Sequence, residues 1–229
     1  DVMMQGFLEG ALFDTVEQFQ AEAGMAVLMD PRTGDILAMA SAPSYSPPDY
    51  RLSRPEQRRN RVITDPYEPG SAFKPFIAAG AVQMGVAGLD TEFFCHHGTY
   101  RAHRGGTIRD FPGERFGSIP LSEVVIHSSN IGMAKLGERL GDERLHRIAR
   151  AFGFGEATGI ELPGEHPGRL VPTRHWTGYA TRRMPFGQGP IMVTNLQLAR
   201  AFCAIANGGE LLRPRLVDRV IDAEGHVVH

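Results

Sequence analysis

Frequent chain breaks are the feature that most limits what this sequence can fold into. The 229 residues contain 27 Gly and 16 Pro, about a fifth of the chain, and both residue types interrupt helices and strands. We therefore expect many turns and short elements around a sizeable core, in one large domain or two small ones. The apolar fraction of 42% and the charged fraction of 22% indicate a folded globular chain.

Charge and cysteine content exclude several classes of protein. A formal net charge of −2 gives no electrostatic case for nucleic acid as a partner. No apolar run approaches the ~18 residues of a membrane span. Cys95 and Cys203 are the only cysteines, too few and too far apart for a disulfide scaffold or a four-cysteine zinc site.

The spacing of apolar residues and chain breakers gives the order of elements. Hairpins are predicted over 25–40 and, near the end of the sequence, over 217–228. Antiparallel strands covered by helices make the α+β class the expected fold. The remaining predictions are mainly irregular structure at 42–70 and 155–189, loop or short strand at 91–118, and helices at 2–22, 71–84, 120–127, 131–140, 142–152 and after Thr194, where Gln197 completes a capping box.

A serine and a lysine stand three residues apart where a predicted helix begins. Ser71 and Lys74 would then share one helix face. Of the 24 basic residues only two are lysines, Lys74 and Lys135. A partly buried lysine can lose its proton and act as a general base, whereas an arginine cannot. The pattern therefore favours a nucleophilic serine with a lysine base over an ordinary exposed lysine.

A second polar group, Ser128-Ser129-Asn130, interrupts two predicted helices. The hydroxyl of Ser128 could relay a proton, and the amide of Asn130 could hold a substrate carbonyl and orient the lysine. The alternative is that Ser129 or Asn130 only caps the next helix.

Together the two motifs resemble the penicillin-recognising serine acyltransferases, whose signature is Ser-x-x-Lys, Ser-x-Asn and Lys-Thr-Gly. The sequence EPGSAFKP at 68–75 is similar to the active-site block of class B penicillin-binding proteins, especially those of the septal, division type. Further stretches at 58–61, 158–165 and 186–200 fit the same family. The resemblance covers essentially the whole chain.

The resemblance implies an activity and a role for each motif residue. Ser71 would be the acylated nucleophile, Lys74 its base, Ser128 a proton relay and Asn130 the binding group for the donor peptide, with the N–H of Ser71 as half of an oxyanion hole. The implied reaction is D,D-transpeptidation of peptidoglycan stem peptides ending in D-Ala-D-Ala, with β-lactams acylating the same serine. No metal or organic cofactor is implied. Division-machinery partners and a membrane-anchored site on the periplasmic face of the cytoplasmic membrane are family inferences.

One element of the family signature is missing, since no Lys-Thr-Gly follows Ser128. We therefore expect 1–229 to be an incomplete transpeptidase domain of the penicillin-binding/β-lactamase-like fold, an antiparallel sheet flanked by helices. A helical subregion over about 42–210 would be inserted between the first hairpin and missing C-terminal strands. The chain alone would then be impaired as an enzyme. Arg32-Thr33-Gly34 precedes the nucleophile and is rejected as a substitute.

Three alternatives stay open from the sequence. Water could resolve the acyl-enzyme, giving a D,D-carboxypeptidase or a β-lactamase, with Glu161 or Glu165 activating the water. The chain could be a non-catalytic β-lactam sensor or remnant. Cys95, His96 and His97 with His103 could ligate a transition metal, although no second cluster completes such a site.

Overall fold

The computed structural model describes residues 1–102 and 106–228. The chain divides into two compact units. The first unit combines Asp1–Pro66, Ala157–Pro167 and the residues from Thr194 onward, and the second combines Tyr67–Glu156 with Gly168–Val193.

Helices supply most of the regular structure, and the strands are short. The helices are α1 (Val2–Gln18), α2 (Arg61–Thr64), α3 (Lys74–Gln83), α4 (Leu121–Ile126), α5 (Asn130–Leu140), α6 (Asp142–Ala151), α7 (Gly178–Arg183) and α8 (Asn195–Ala206). The strands are β1 (Gly24–Met29), β2 (Ile36–Ala42), β3 (Glu92–Phe94), β4 (Thr99–Ala102), β5 (Gly106–Arg109), β6 (Ser118–Pro120), β7 (Arg169–Leu170) and β8 (Ile191–Met192). They pair antiparallel as β1–β2, β3–β6, β4–β5 and β7–β8. The α+β class is confirmed.

The first unit is built on the predicted hairpin of β1 and β2, in which Val27 pairs with Met39. Its buried cluster consists of Val62, Ile63, Ile160 and Leu196, with Met25 and Val27 packed against it. Helix α1 lies along β2, because the Gln5 side chain donates to the Met39 carbonyl and accepts from the Met39 N–H, both at 2.9 Å. One face of the hairpin thus packs against the core, and its second strand contacts α1.

The amphipathic helix predicted over 2–22 is correct in type but only partly correct in its apolar face. The helix ends at Gln18. Leu8, Leu12 and Val16 are half-buried, as a shared face requires, whereas Phe7 is 75% exposed. No helix in the described ranges is both long enough and apolar enough to span a membrane.

The second unit contains α3 to α7 and the three shorter strand pairs. Its centre is an aromatic cluster in which the Phe73 and Phe76 rings lie 5.1 and 5.4 Å from that of Phe154. All three phenylalanines are fully buried, with 0% exposure. This cluster fixes the start of α3, where the candidate lysine lies.

Several local predictions need correction. Residues 71–84 do not form one α-helix, because a 3₁₀ turn at Gly70–Phe73 precedes α3. The stretch 155–189, predicted as mostly loop, also contains α7. The last predicted hairpin is reduced, within the described residues, to a single bridge between Ile221 and Val227. The capping box is confirmed, since Thr194 Oγ1 accepts from Gln197 N at 3.2 Å. The helical insertion over about 42–210 stays a prediction.

Candidate active site

The segment before Ser71 is tied to the loop at 187–193 by backbone hydrogen bonds. Tyr67 and Val193 exchange two bonds, of 3.0 and 2.8 Å. Gly70 N donates to Gly187 O at 3.1 Å, and Gly189 N donates to Glu68 Oε1 at 2.8 Å. These bonds place the 3₁₀ turn that carries Ser71 at a fixed position in the second unit.

Gly187 makes this connection possible, and its replacement by alanine is expected to disturb it. Gly187 has a left-handed φ of +74°, and a Cβ there would lie 2.3 Å from Gly70 O and 2.6 Å from Gly70 N. Left-handed backbone costs a non-glycine residue about 1–2 kcal/mol, and a forced clash adds about 1–3 kcal/mol. We expect Gly187→Ala to lower the free energy of unfolding by about 2–5 kcal/mol, measured by urea denaturation.

Gly85→Ala is the matched control for this prediction. Gly85 has a φ of +65° but nothing lies within 4 Å of a Cβ placed there. Its replacement should therefore cost only the backbone term of about 1–2 kcal/mol. An equal decrease in the free energy of unfolding in the two variants would show that the close approach of Gly187 to Gly70 does not matter for stability.

Lys74 is the buried centre of the site. Lys74 is only 1% exposed, yet its amine has three hydrogen-bond partners. It donates to Ser128 Oγ at 2.8 Å, to Asn130 Oδ1 at 2.9 Å and to the carbonyl oxygen of Ser128. The structure thus brings together three of the four predicted site residues, from α3 and from the turn before α5.

Burial also sets the acid–base behaviour of this amine. Desolvation lowers the pKa of Lys74 to about 8, and the negative charge of Asp110 opposes that shift. A lysine in water has a pKa near 10.4, so the Lys74 amine is far more often neutral at physiological pH than an exposed lysine. A neutral amine with a free electron pair can accept a proton from a hydroxyl group.

Residues 128–130, which comprise the turn before α5 and the first residue of that helix, present their polar side chains in different directions. Ser128 is exposed and has a φ of +57°, which is rare for a residue with a side chain. Ser129 is buried, and its Oγ caps α5 by accepting from Gly132 N at 3.0 Å. Asn130 uses its oxygen for Lys74 and its nitrogen for the Arg109 carbonyl, at 2.9 Å each. The capping alternative is therefore correct for Ser129, while Ser128 and Asn130 point to the lysine.

Ser71 lies at the surface of an open cleft above this network. The cleft has a volume of about 470 Å³, and its walls include Ser71, Ser128 and Asn130. The Ser71 side chain is exposed, and within the described parts of the chain its hydroxyl forms no hydrogen bond to Lys74. The site is thus a buried amine beneath two exposed hydroxyl groups that share one cleft.

Asp110 belongs to the same site and was missed by the sequence analysis. It follows β5, is 7% exposed, and accepts hydrogen bonds from Ser129 Oγ and Ile131 N. Its charge acts on Lys74. An acidic residue directly after the alternating segment 106–109 was the available signal, but nothing in the linear sequence links it to the turn at 128–130.

Three further ionisable residues have partners that do not suggest catalysis. They are His127, which adjoins Ser128, and the two glutamates that the sequence offered for activating water. His127 Nε2 pairs with Glu123 Oε2 at 2.8 Å. In the first unit, Glu165 accepts from Thr158 N at 2.7 Å and Glu161 accepts from Leu216 N at 3.1 Å, so both carboxylates hold turns.

The sequence also raised a metal site at Cys95, His96 and His97. Among the described residues, no group of three or more His, Cys, Asp or Glu side chains could hold a metal ion. His103, the further ligand considered, lies outside the described residues. Ser129 Oγ contacts the buried thiol of Cys95 at 3.4 Å, so this cysteine packs against the turn before α5.

Comparison with known proteins places these features in a family context. The sequence profile of the penicillin binding protein transpeptidase domain matches residues 24–229. The chain is 36% identical over 220 residues to peptidoglycan D,D-transpeptidase FtsI of Escherichia coli K12, covering 96% of this chain and 36% of that protein. It is 35% identical over 223 residues to stage V sporulation protein D of Bacillus subtilis, covering 97% of this chain and 34% of that protein.

Solved structures show the same similarity. Penicillin binding protein 3 from Mycobacterium tuberculosis, complexed with ampicillin, matches with a TM-score of 0.90 and 29% identity, over 100% of this chain and 50% of that one. The transpeptidase domain of penicillin-binding protein 3 from Burkholderia pseudomallei matches with a TM-score of 0.84 and 30% identity, over 99% and 62%. The chain spans about a third of the length of the two curated relatives, from Escherichia coli and Bacillus subtilis.

Proposed function

Because the chain belongs to the penicillin-binding protein transpeptidase family, we propose that it cross-links peptidoglycan stem peptides by D,D-transpeptidation through Ser71. The observation that carries the proposal is the Lys74 amine. It is buried, its pKa is lowered to about 8, and it is held by Ser128 and Asn130 beside the cleft that Ser71 lines. A surface lysine would have neither the burial nor the fixed partners.

In the acylation step, Ser71 Oγ attacks the carbonyl carbon of the penultimate D-Ala. The serine proton passes to the neutral amine of Lys74. The C–N bond to the terminal D-Ala then breaks, and the proton reaches the departing amine through the hydroxyl of Ser128, which contacts Lys74 at 2.8 Å. The products are free D-Ala and an ester on Ser71, with Lys74 neutral again.

In the second step the amine of a neighbouring stem peptide attacks the ester carbonyl. That amine loses a proton by the reverse route, through Ser128 to Lys74, and the proton returns to Ser71 as the ester bond breaks. Asn130 contributes by orientation, because its oxygen holds Lys74 and its nitrogen is anchored to the Arg109 carbonyl. The backbone N–H of Ser71 serves as one donor of the oxyanion hole.

We extend the proposal to the setting in which the chain acts. The family resemblance supports septal peptidoglycan synthesis at the periplasmic face of the cytoplasmic membrane, with a membrane-anchored parent protein and partners in the division machinery. β-Lactams would acylate Ser71 in place of a stem peptide, as the ampicillin complex of the mycobacterial relative suggests.

Product analysis with a stem pentapeptide tests the proposed reaction. The product of the complete gene is incubated with the peptide and an acceptor amine, and free D-Ala and the new amide are measured by mass spectrometry. We expect both in equal amounts. Release of D-Ala with hydrolysed peptide alone would indicate a carboxypeptidase, and rapid release of hydrolysed penicillin would indicate a β-lactamase.

The pKa of Lys74 predicts how acylation depends on pH. Because the base must be neutral, the rate of acylation by a penicillin should rise about tenfold per pH unit below about 8 and level off above it. Stopped-flow acylation between pH 6 and 10 measures this profile. Lys135→Arg is the control and should leave the midpoint unchanged, and a wild-type midpoint near pH 10 would contradict the assignment.

A further inference from the structure

Asp110 is a buried carboxylate that the proposed chemistry does not use. It is 7% exposed, and within residues 1–102 and 106–228 it forms no salt bridge. A buried charge is unfavourable unless hydrogen bonds satisfy it. Both of its oxygens lie 3.1 Å from Ser129 Oγ, and Oδ1 also accepts from Ile131 N at 3.0 Å.

These hydrogen bonds involve the residues next to those that hold Lys74. Ser129 and Ile131 flank Asn130, and Ser129 directly follows Ser128. Ser128 has a left-handed φ of +57°, which is unfavourable for a residue with a Cβ and persists only when its surroundings impose it. The hydrogen bonds between Asp110 and Ser129, the residue after Ser128, supply such a constraint.

The strand end that carries Asp110 makes one further contact with the turn. The carbonyl of Arg109 accepts from Asn130 Nδ2 at 2.9 Å. This bond aims the amide oxygen of Asn130 at Lys74. Arg109, the last residue of β5, and the adjacent Asp110 therefore hold the three successive residues from 129 to 131.

We infer that Asp110 is a positioning residue, which fixes the turn at 128–131 so that Ser128 and Asn130 converge on Lys74. The inference rests on the proposed function for its kinetic consequence, whereas the geometry of the turn stands independently. Asp110 acts through the turn and does not itself touch the reacting atoms.

The charge of Asp110 has a separate, measurable effect on Lys74. It raises the pKa of the amine against the dominant effect of burial. Other titratable groups near this charge are Glu114 and His127, which line the cleft with it, and Cys95, whose thiol contacts Ser129. Removing the Asp110 charge should therefore make the Lys74 amine neutral at lower pH.

Two substitutions separate position from charge. Asp110→Asn keeps a carbonyl oxygen for Ser129 and Ile131 but removes the charge. Asp110→Ala removes both. In the product of the complete gene, we expect Asp110→Asn to give an acylation plateau with benzylpenicillin within about threefold of wild type. For Asp110→Ala we expect a plateau about 100-fold lower, the loss typical of a small misplacement of catalytic groups.

NMR of the lysine side chains measures the titration of Lys74 without relying on turnover. With ¹³C-labelled lysine the 229-residue chain gives two side-chain signals, from Lys74 and Lys135, and Lys135→Arg assigns them. We expect the Lys74 titration midpoint to move to lower pH in both Asp110 variants. Asp142→Asn is the matched control, because Asp142 likewise accepts a hydrogen bond from a hydroxyl group, that of Thr181, at 2.6 Å, and lies at the start of α6. It should change neither the plateau nor the midpoint.

Each outcome decides the inference. An Asp110→Ala plateau near that of wild type, equal plateaus in the two variants, or an unmoved Lys74 midpoint would overturn it. If Asp110→Ala does not fold, Ser129→Ala replaces it as the test, because it removes the hydrogen bond from Ser129 Oγ to Asp110 and keeps the one from Ile131 N. It should lower the acylation plateau about tenfold. An unchanged plateau would again overturn the inference. If the wild-type product of the complete gene is not acylated, while the Lys74 midpoint shifts as expected in the Asp110 variants, the proposed function is rejected and the positioning role is kept.

Discussion

Replacing Ser71 by alanine is expected to abolish covalent labelling by penicillins. Loss of the nucleophilic serine lowers turnover by about 10⁶-fold in a serine protease. The other hydroxyls of the site cannot substitute, because Ser128 is bonded to the amine of Lys74 and Ser129 is buried on Asp110. Labelling with a fluorescent penicillin, followed over time on denaturing gels, measures the rate.

The control for this prediction is Ser118→Ala, which removes an exposed serine hydroxyl from β6 in the same unit. It should label at the wild-type rate. Because the Ser71 side chain is exposed, the free energy of unfolding of Ser71→Ala should also lie within about 0.5 kcal/mol of the wild-type value. Wild-type labelling of Ser71→Ala would show that another residue is the nucleophile.

Replacing Lys74 should have the next largest effect. Lys74→Met removes the base and should lower the rate of acylation by about 10²- to 10⁴-fold, the range of general acid–base catalysis. Lys74→Arg should be no better, because a guanidinium does not lose its proton. Both variants also leave Ser128 Oγ and Asn130 Oδ1 without their present donor.

Lys135→Met is the matched control, since Lys135 lies over the Tyr100 ring at 5.0 Å. It should acylate at the wild-type rate. Raising the pH is not expected to rescue Lys74→Met, since no base remains to be deprotonated. Acylation of Lys74→Arg at the wild-type rate would contradict the general-base role, even if Lys74→Met were inactive through a disturbed core.

The parts of the site that could be predicted are those set by short spacing and chemical type. Ser71 and Lys74 stand three residues apart, and a buried lysine in a chain that otherwise uses arginine indicates a chemical role. The capping box at Thr194 and Gln197 is likewise local and was predicted correctly. Convergence of Ser128 and Asn130 on Lys74, 54 and 56 positions away, was raised from the residues only beside a helix-capping alternative. The family resemblance was needed to favour it.

The parts that could not be predicted depend on tertiary contacts. The 3₁₀ turn at Gly70–Phe73 begins where Gly70 N donates a backbone hydrogen bond to Gly187 O, and these two glycines are distant in sequence. Asp110 gains its role only when β5 meets the turn before α5. The exposed Phe7 shows the same limit, because spacing defines an apolar stripe but not how much of it is covered.

Peptide mapping after penicillin treatment tests the central claim most directly. The product of the complete gene is incubated with benzylpenicillin, its intact mass is measured, and the digested protein is searched for the modified peptide. We predict one penicilloyl group per chain, on Ser71. An adduct on a different residue, or an unmodified protein after prolonged incubation, would contradict the account.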